Sequence, residues 1–593
     1  MPSIVDPVLN ITLNNCVQLI SDMERKSSIQ NILSYIPITQ WLPQYQLEFI
    51  RWDLLAGITL ASFVLPESMA YAALAGLPTY YGIYSCIVGG FLFACFTSSK
   101  QLAVGPTSSI SLMIASTISV LAMGNLNRWI ELVALTALIV AGICFIAFIF
   151  KLSSLVNFVS ESILLGFKAG AALSIISTQL PKLFSVEGGG KNFIERMYLL
   201  FQHLHQFNLA VLIFGAIALL LLLMGDKIFP SKPVSLLVVI ASIIVLTFTK
   251  LTTYGFEVTG KIPSGLPSFS VPTFGFNDLE SVFELAGACF LMGYTETISA
   301  ARTLALKYND LENPRQELLS MGFANLGTAF SSGYVVSGGL SQSIVNDASG
   351  AKTPVSLIVS STVLTLILLF FTGLLKNLPE VILAVIVVHA VSRLINIKEL
   401  KRTYLLSKTE FWVAIFALFS VLIFGILKGV MLSVLLSLAL LIRRISYPHV
   451  AVLGRIGASN HFSDIEFHAD NILVDNVLIL RVEASILYFN AEDIQQKIHE
   501  KIDAHAGKID LIILDLSSAS NVDIAGSKML LQLSDHLKLK GIRLRIVEAL
   551  FDARNLLRKL GLETVIGHIS RRVSINDAIA DFFEVKSTDS SCE

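Results

Sequence analysis

Charged side chains are scarce in this chain, and they are unevenly spread. Of its 593 residues, 54% are hydrophobic and 15% are charged, whereas soluble globular chains carry about a quarter charged residues. Between Leu54 and Ser99 the only charged side chain is Glu67, and the segment 353–375 has none. About 20 apolar residues in a helix cross the hydrocarbon core of a bilayer. We therefore expect a membrane protein with many spans.

Paired cysteines and catalytic motifs are also missing. The six cysteines fall mostly inside apolar segments, and none forms a C-x-x-C spacing, so neither a disulfide framework nor a zinc site is predicted. The sequence contains no P-loop or nucleophile-triad pattern, and its N-terminus lacks the basic region and apolar run of a signal peptide. We expect no enzymatic activity, no cofactor and no nucleic-acid partner.

Apolar segments recur over most of the chain, and we predict about fourteen spans. They are expected at 54–74, 80–97, 105–122, 130–150, 155–180, 208–224, 232–250, 279–299, 315–332, 339–348, 354–375, 378–396, 409–426 and 429–445. Basic residues concentrate in cytoplasmic loops. Arg51 precedes the first span, and Arg443 and Arg444 follow the last. Both termini are therefore predicted to be cytoplasmic. We expect an arm at 1–50 and a transporter domain at 51–447, in a cell membrane and more specifically a bacterial inner membrane.

The character of the sequence changes after Pro448. The runs "NVLILRV" and "DLIILDL" predict buried strands, while "AEDIQQKIHEKI" and "GSKMLLQLSDHLKL" predict amphipathic helices. We predict a soluble α/β domain at 448–587 on the cytoplasmic side, followed by a short tail at 588–593.

Two polar segments interrupt the apolar region at matching points of its two halves. They are "LAVGPTSSISL" at 102–112 and "VVSGGLSQSI" at 335–344. Paired Gly/Pro-interrupted spans are typical of transporters built from inverted repeats. Each break would start a new helix near hydroxyl groups, and free N–H groups at a helix N-terminus attract anions. We expect a small anion to bind between two such half-helices. The alternative is a pair of re-entrant turns without a ligand.

Four ionisable residues lie in or near predicted spans. Glu67 and Glu296 are intramembrane carboxylates, which are functional hypotheses by default. Because desolvation penalises a charged carboxylate, each suits a proton carrier, or alternatively a Na⁺ site. An ion pair with Arg302 is a structural alternative for Glu296. We interpret Lys168 as a snorkelling side chain and His389 as a packing residue, with a pH sensor as the second possibility for His389.

These segments resemble the sulfate permease (SulP) family. "DLLAGITLASFVLPESMAYAALAGLPTYYGIYS" is similar to the family's first-span signature, and "SSKQLAVGPTSSISLM" and "GGLSQSIVNDASGAKTP" resemble its third- and tenth-span segments. The resemblance covers roughly residues 50 to 585. It implies an α-helical polytopic membrane protein with about fourteen segments, arranged as two inverted seven-span repeats. It also implies a core domain moving against a gate domain, a homodimer and a C-terminal α/β STAS domain.

The resemblance further implies where the substrate binds. The family's motifs put it between the two half-helices, next to the first span, with an acidic position in the eighth span that Glu296 matches. Carried over by motif, the substrate-binding residues are Glu67, Tyr71, Pro106, Thr107, Ser108, Ser109, Gly339, Leu340, Ser341, Gln342 and Ser343.

Two positions depart from the family pattern. Gln342 stands where many relatives carry arginine, so a weaker positive field is expected to favour monovalent anions or to require a bound proton for sulfate. In "SNVDIAGSKML" Ala525 occupies the position of the serine that is phosphorylated in soluble anti-sigma antagonists. Asp523 and Gly526 keep the loop shape, but Ser527 follows the glycine, so we do not expect regulation by phosphorylation there.

The predicted function is secondary active transport of a small, sulfate-like anion. We expect proton symport by an elevator-like motion, with Glu296 and Glu67 as coupling groups. Sodium-coupled bicarbonate uptake and transport of another monovalent or dicarboxylate anion remain open. So do an exchanger, an uncoupled channel, a nucleobase transporter of the same architecture, and a scaffold whose STAS domain docks a soluble partner.

Overall fold

The computed structural model describes residues 35–153, 160–190, 192–229, 233–249, 255–260, 262–272, 275–505 and 507–589. The predicted N-terminal arm therefore lies outside the described residues as far as residue 34, and the predicted tail is described only to residue 589. The chain divides into two compact units, Met1–Ser437 and Leu438–Glu593. The boundary predicted at residue 448 falls within the second unit.

Fourteen helices of the described chain correspond to the predicted spans, seven in each half. The first half contains α1 (Phe49–Leu74), α2 (Tyr80–Phe96), α3 (Ser108–Leu121), α4 (Leu126–Ile149), α5 (Glu161–Phe184), α6 (Leu209–Ile228) and α7 (Val234–Phe248). The second half contains α8 (Phe276–Tyr308), α9 (Pro314–Phe330), α10 (Leu340–Ala348), α11 (Val355–Phe370), α12 (Glu380–Ser392), α13 (Lys408–Phe424) and α14 (Ile426–Ser446). Short helices at Phe193–His203, Thr372–Leu375 and Ile397–Leu406 connect some of them.

Helix length varies more than the hydropathy pattern predicts. Among the described residues, four segments are apolar enough and long enough to cross a membrane alone: α1, α4, α5 and the stretch Glu380–Leu406. The largest difference is in α8, which continues past the predicted end at 299 because no helix breaker follows. It ends at Asn309, which adopts the left-handed conformation with φ 52°.

The helices form two bundles whose contacts repeat between the halves of the chain. Helices α1–α4 pack with α8–α11, and we call this group the core bundle; α5–α7 with α12 and α13 form the gate bundle. In the core bundle α1 packs on α11 as α8 packs on α4, and α2 packs on α11 as α9 packs on α4. Each contact of a first-half helix thus recurs for the corresponding second-half helix, as expected of two seven-helix repeats.

The two predicted helix breaks meet inside the core bundle. Strand β1 (Val104–Gly105) pairs antiparallel with β2 (Ser337–Gly338), with Val104 opposite Gly338. Each strand leads directly into a half-helix, α3 or α10. Because irregular backbone at membrane depth must find hydrogen-bond partners within the protein, the pairing allows both chains to break at the same depth.

The second unit is built on a five-stranded sheet of order β4-β3-β5-β6-β7. The strands are β3 (Val450–Arg455), β4 (Phe462–Asp464), β5 (Val477–Val482), β6 (Leu511–Asp515) and β7 (Arg543–Val547). Strands β5, β6 and β7 are parallel. The predicted strands are β5 and β6, and the predicted helices are α15 (Ala491–Asp503) and α16 (Ile524–Leu539). Three further helices follow: α17 (Phe551–Lys559), α18 (Leu562–Ile566) and α19 (Ile575–Asp589).

The loop before α16 has the expected shape. The Asp523 carboxylate accepts hydrogen bonds from the Gly526 N–H, at 2.8 Å, and from the Tyr488 N–H, at 2.7 Å. A Cβ atom on Gly526 would lie 2.7 Å from the Ile486 carbonyl oxygen, which explains the glycine. Ser527 is 1% exposed and position 525 is alanine, so neither offers an accessible hydroxyl.

Candidate functional site

A cavity of about 710 Å³ lies where the two half-helices of the core bundle face the gate bundle. Its lining includes Glu296 and nearly every residue that the motifs predict for the substrate site. The predicted residues found there are Glu67, Tyr71, Pro106, Thr107, Ser108, Ser109, Gly339, Leu340, Ser341 and Gln342. Residues far apart in the chain thus come together as expected.

The N-termini of α3 and α10 both contribute to this cavity. Thr107 precedes α3 in an extended conformation, and Gly339 precedes α10 in the same way. The Thr107 side chain forms no capping hydrogen bond with α3, and Gly339 has no side chain that could cap α10. The first N–H groups of a helix have no partner within it. Together with the positive ends of two helix dipoles they make the cavity suitable for an anion.

Glu67 connects α1 to α10 through a buried network. It is 4% exposed and accepts hydrogen bonds from the Tyr71 hydroxyl at 3.0 Å and from Gln342 Nε2 at 3.1 Å. Gln342 Oε1 is buried without a partner among the described residues. A Cβ atom at Gly105 would lie 2.8 Å from that oxygen. The glycine therefore leaves the space that the Gln342 amide fills.

Glu296 connects α8 to both broken segments. Its carboxylate accepts hydrogen bonds from Ser109 Oγ at 3.2 Å and from Ser337 Oγ at 3.3 Å. Arg302 instead forms an ion pair with Glu312, with 2.7 Å between Nε and Oε1. The alternative pairing of Glu296 with Arg302 is therefore wrong, and the carboxylate faces hydroxyl groups beside the half-helices.

Ser343 is the predicted site residue that the structure does not bring to the cavity. Its side chain is fully buried, where Oγ accepts from the Ala103 N–H at 2.9 Å and donates to the Gly339 carbonyl at 2.7 Å. Successive helical residues are about 100° apart, at 3.6 residues per turn. Two positions beyond Ser341, Ser343 therefore points away from the cavity and holds β1 against α10.

The cavity wall also contains four basic residues that the sequence motifs did not predict for the site. Lys168, Lys227, His389 and Arg393 all line the cavity, and all belong to the gate bundle or its helix ends. Lys168 and His389 thus lie in the cavity wall, and the interpretations of Lys168 as a snorkelling side chain and of His389 as a packing residue stay predictions. Arg393 Nη2 lies 3.1 Å from His389 Nε2. The one available signal was the spacing of these two residues by four positions, which puts them on the same helical face.

Two bundles of broken and continuous helices around a central cavity are typical of a membrane transporter. Residues 50–417 match the sulfate permease family and residues 469–575 match the STAS domain. The chain belongs to the sulfate permease family.

Individual relatives extend this comparison. The chain is 30% identical to sulfate transporter 1.2 of Arabidopsis thaliana, over 88% of this chain and 83% of the relative. It is 29% identical to a probable sulfate transporter of Mycobacterium tuberculosis, over 91% and 96% of the two chains. Its fold matches the murine solute carrier 26 family member A9 anion transporter in the inward-facing state, with TM-score 0.85, 22% identity and coverage of 93% and 94%.

A second solved structure is similar to the helical part. The transmembrane domain of a cyanobacterium bicarbonate transporter matches with TM-score 0.58 and 18% identity, covering 67% of this chain and 98% of that one. The predicted family, the helical membrane fold and the C-terminal STAS domain are confirmed. The protein is a multi-span anion transporter and not an enzyme.

Proposed function

We propose that this transporter moves a sulfate-like anion together with protons. One observation supports this more than any other. The N-termini of α3 and α10 meet at a single cavity that also contains Glu67 and Glu296. Unpaired N–H groups supply the attraction for an anion, and the two carboxylates supply groups that a coupling ion can neutralise.

The anion would bind to the backbone N–H groups and hydroxyls at the two helix starts. Ser108, Ser109 and Ser341 line the cavity at these starts, and the Gln342 amide lies against Glu67. Hydrogen bonds to a charged acceptor are about twice as strong as neutral ones. Such a site recognises an oxyanion without a fixed positive charge in the core bundle.

Glu296 is the proposed coupling group. It shares Ser109 with the anion site, so an ionised carboxylate would repel the anion at short range. Binding a proton to Glu296 removes this repulsion and releases the Ser109 hydroxyl towards the anion. By thermodynamic linkage each ligand then raises the affinity of the other, as symport requires. Glu67 would act in the same sense through Gln342.

Rigid movement of the core bundle against the gate bundle is the proposed transport step. Glu67, Ser109, Glu296 and Gln342 all belong to the core bundle, so they would travel with the anion. Contacts between the bundles are few compared with contacts inside them, chiefly α1 against α7 and α12. Rocking or sliding of one bundle past the other is the usual form of alternating access.

Sodium-coupled bicarbonate transport is the second candidate. Two observations favour it: the likeness of the helical part to a bicarbonate transporter's transmembrane domain, and the neutral Gln342 at the site. In that case a carboxylate would bind Na⁺ in place of a proton. Uptake measured with each gradient separates the two candidates.

The setting of the transporter is proposed from sequence and likeness together. We infer a homodimer in a bacterial inner membrane, with both termini cytoplasmic because Arg51, Arg443 and Arg444 flank the helical region on one side. The STAS domain would then face the cytoplasm, where a soluble partner can dock.

Uptake into liposomes tests the proposed function. Purified protein is reconstituted, and labelled sulfate is supplied with and without an inward proton gradient, beside labelled bicarbonate with a sodium gradient. We expect proton-driven sulfate accumulation that Glu296→Gln abolishes and that Glu284→Gln, an exposed control on the same helix, retains. Sodium-driven bicarbonate uptake without sulfate uptake would contradict the substrate and the coupling ion together.

A further inference from the structure

The helix Ile397–Leu406 connects α12 to α13, and we call it the surface helix. None of its 10 residues is buried. It begins after a break in the chain, where the Asn396 side chain accepts a hydrogen bond from the Glu399 N–H at 3.1 Å. Because it joins two membrane-spanning helices, the surface helix lies at one surface of the bilayer.

The surface helix packs on the gate bundle along one side. It contacts α13 and α5, and the Tyr404 ring meets the Phe411 ring of α13 edge-on, with 5.0 Å between centroids. Leu400 and Thr403 are half-buried. At about 100° per residue, Leu400, Thr403 and Tyr404 share one side of the helix, so the opposite side faces away from the bundle.

That outer face carries three large apolar side chains and three basic ones. The apolar residues are Ile397, Leu405 and Leu406, which are 71%, 74% and 76% exposed. The basic residues are Lys398, Lys401 and Arg402, and all three are exposed. By helical phase all six fall within one half of the helix circumference. Exposed apolar clusters mark interaction surfaces, and a helix that combines them with basic residues is typical of the membrane interface.

The basic residues of the outer face are poorly neutralised within the protein. Lys398 lies three and four positions before Lys401 and Arg402, and like charges at this spacing destabilise a helix. The nearest carboxylate of the helix belongs to Glu399, with 3.6 Å between its Oε1 and Arg402 Nη1. An anionic group bound at the outer face would remove the repulsion.

The corresponding helix of the first half, Phe193–His203, lacks this charge. It connects α5 to α6 and also exposes large apolar side chains, namely Ile194, Tyr198 and Phe201. Its arginine, Arg196, donates to Ser174 Oγ at 3.2 Å, and its exposed charged residue is Glu195. The seven spans α6 to α12 separate the two helices, which therefore lie at opposite membrane surfaces. Both expose apolar side chains, but the outer basic residues belong to the second one.

We propose that the surface helix binds the headgroups of anionic phospholipids, with its apolar side chains inserted beside the acyl chains. A basic residue near an anionic membrane surface strengthens binding about five-fold, which is about 1 kcal/mol. Phosphatidylglycerol carries the negative charge that this face attracts, whereas phosphatidylcholine has no net charge. This lipid binding requires the membrane-spanning fold and does not depend on which anion is transported.

The test measures lipid preference next to the surface helix of the full chain. Leu405→Trp places a fluorescent reporter on the outer face, and bilayers of phosphatidylcholine with an increasing share of brominated phosphatidylglycerol quench it when that lipid binds nearby. The signal of the four native tryptophans is subtracted with the chain that lacks the reporter. The reverse experiment uses brominated phosphatidylcholine. Together the two titrations give the relative binding constant of the two lipids.

The variants, each with the reporter, are Lys398→Gln, Arg402→Gln, both together, and the charge-keeping pair Lys398→Arg with Arg402→Lys. Lys376→Gln is the matched control, because this exposed lysine lies in the connection between α11 and α12. Each variant must elute as a single species on size exclusion. The single and charge-keeping variants keep the test decisive should the double one fail to fold.

We expect the parent to prefer phosphatidylglycerol about 25-fold. Each single variant lowers this preference about five-fold, and the double variant abolishes it. The charge-keeping pair and Lys376→Gln stay within about two-fold of the parent.

Other outcomes overturn the inference in distinguishable ways. A parent without preference, or an unchanged preference in the double variant, shows that this face does not select anionic lipid. A loss in the charge-keeping pair as large as in the double variant indicates a structural role. A similar loss in Lys376→Gln assigns the preference to the overall charge of the protein. None of these results bears on sulfate uptake, so the proposed function stands or fails separately.

Discussion

Replacing Gly166 by alanine is predicted to destabilise the gate bundle, because α5 packs closely on α13 at this residue. A Cβ atom at Gly166 would overlap the Ala414 carbonyl oxygen and lie 2.6 Å from the carbonyl carbon. Ordinary contact begins at 3.4 Å, so α13 would have to move by at least 0.8 Å (3.4 − 2.6). The obstacle is backbone and no side-chain rotation relieves it. Gly170, one turn further, faces the Leu418 carbonyl in the same way, a small-xxx-small arrangement.

The cost of Gly166→Ala follows from two opposing terms. Overpacking costs about 3 kcal/mol at the upper end of its usual range, and replacing a helical glycine by alanine regains about 1 kcal/mol. We expect a net loss of about 2 kcal/mol. For the unit Met1–Ser437 this corresponds to a fall of about 2 °C in melting temperature, measured by thermal size exclusion in detergent. Gly142→Ala is the matched control, because nothing lies within 4 Å of its Cβ position. Equal melting temperatures of the two variants would refute the close contact.

Three further predictions concern the core bundle. Glu317→Ala should lower stability by about 2–3 kcal/mol in the same melting assay, because the Ser98 N–H and the buried Thr97 hydroxyl would lose the carboxylate that accepts their hydrogen bonds. Gly105→Ala should weaken sulfate binding about ten-fold with little change in melting, since its Cβ displaces Gln342 from Glu67. Ser343→Ala should cost about 1 kcal/mol of stability and leave the sulfate dissociation constant unchanged; a binding defect would return Ser343 to the site.

Much of the helical architecture could be predicted because hydropathy is a local property. Continuous apolar runs define α1 and α11 without reference to any other segment. The half-helices were predictable for a different reason, since Gly and Pro interrupt an apolar span only where the protein itself satisfies the backbone. Their pairing through β1 and β2 joins segments more than 200 positions apart, and only the symmetry of the two breaks pointed to it.

The direction in which a side chain points was the part that could not be predicted. Ser341 and Ser343 look equivalent in the sequence, but helical phase sends them to opposite sides. Lys168 lies inside α5 and Arg393 directly follows α12, and a lone basic residue in such a place is usually explained by snorkelling. Their place in the cavity wall depends on how the gate bundle faces the core bundle, and no local pattern encodes that arrangement.

The most direct test is to locate a bound anion. Selenate has the shape and charge of sulfate, and its selenium can be found by anomalous scattering in crystals of the full chain. The account predicts one peak within hydrogen-bonding distance of the N–H groups that start α3 and α10, beside Ser109 and Ser341. A peak elsewhere in crystals of protein that binds selenate in solution would contradict it.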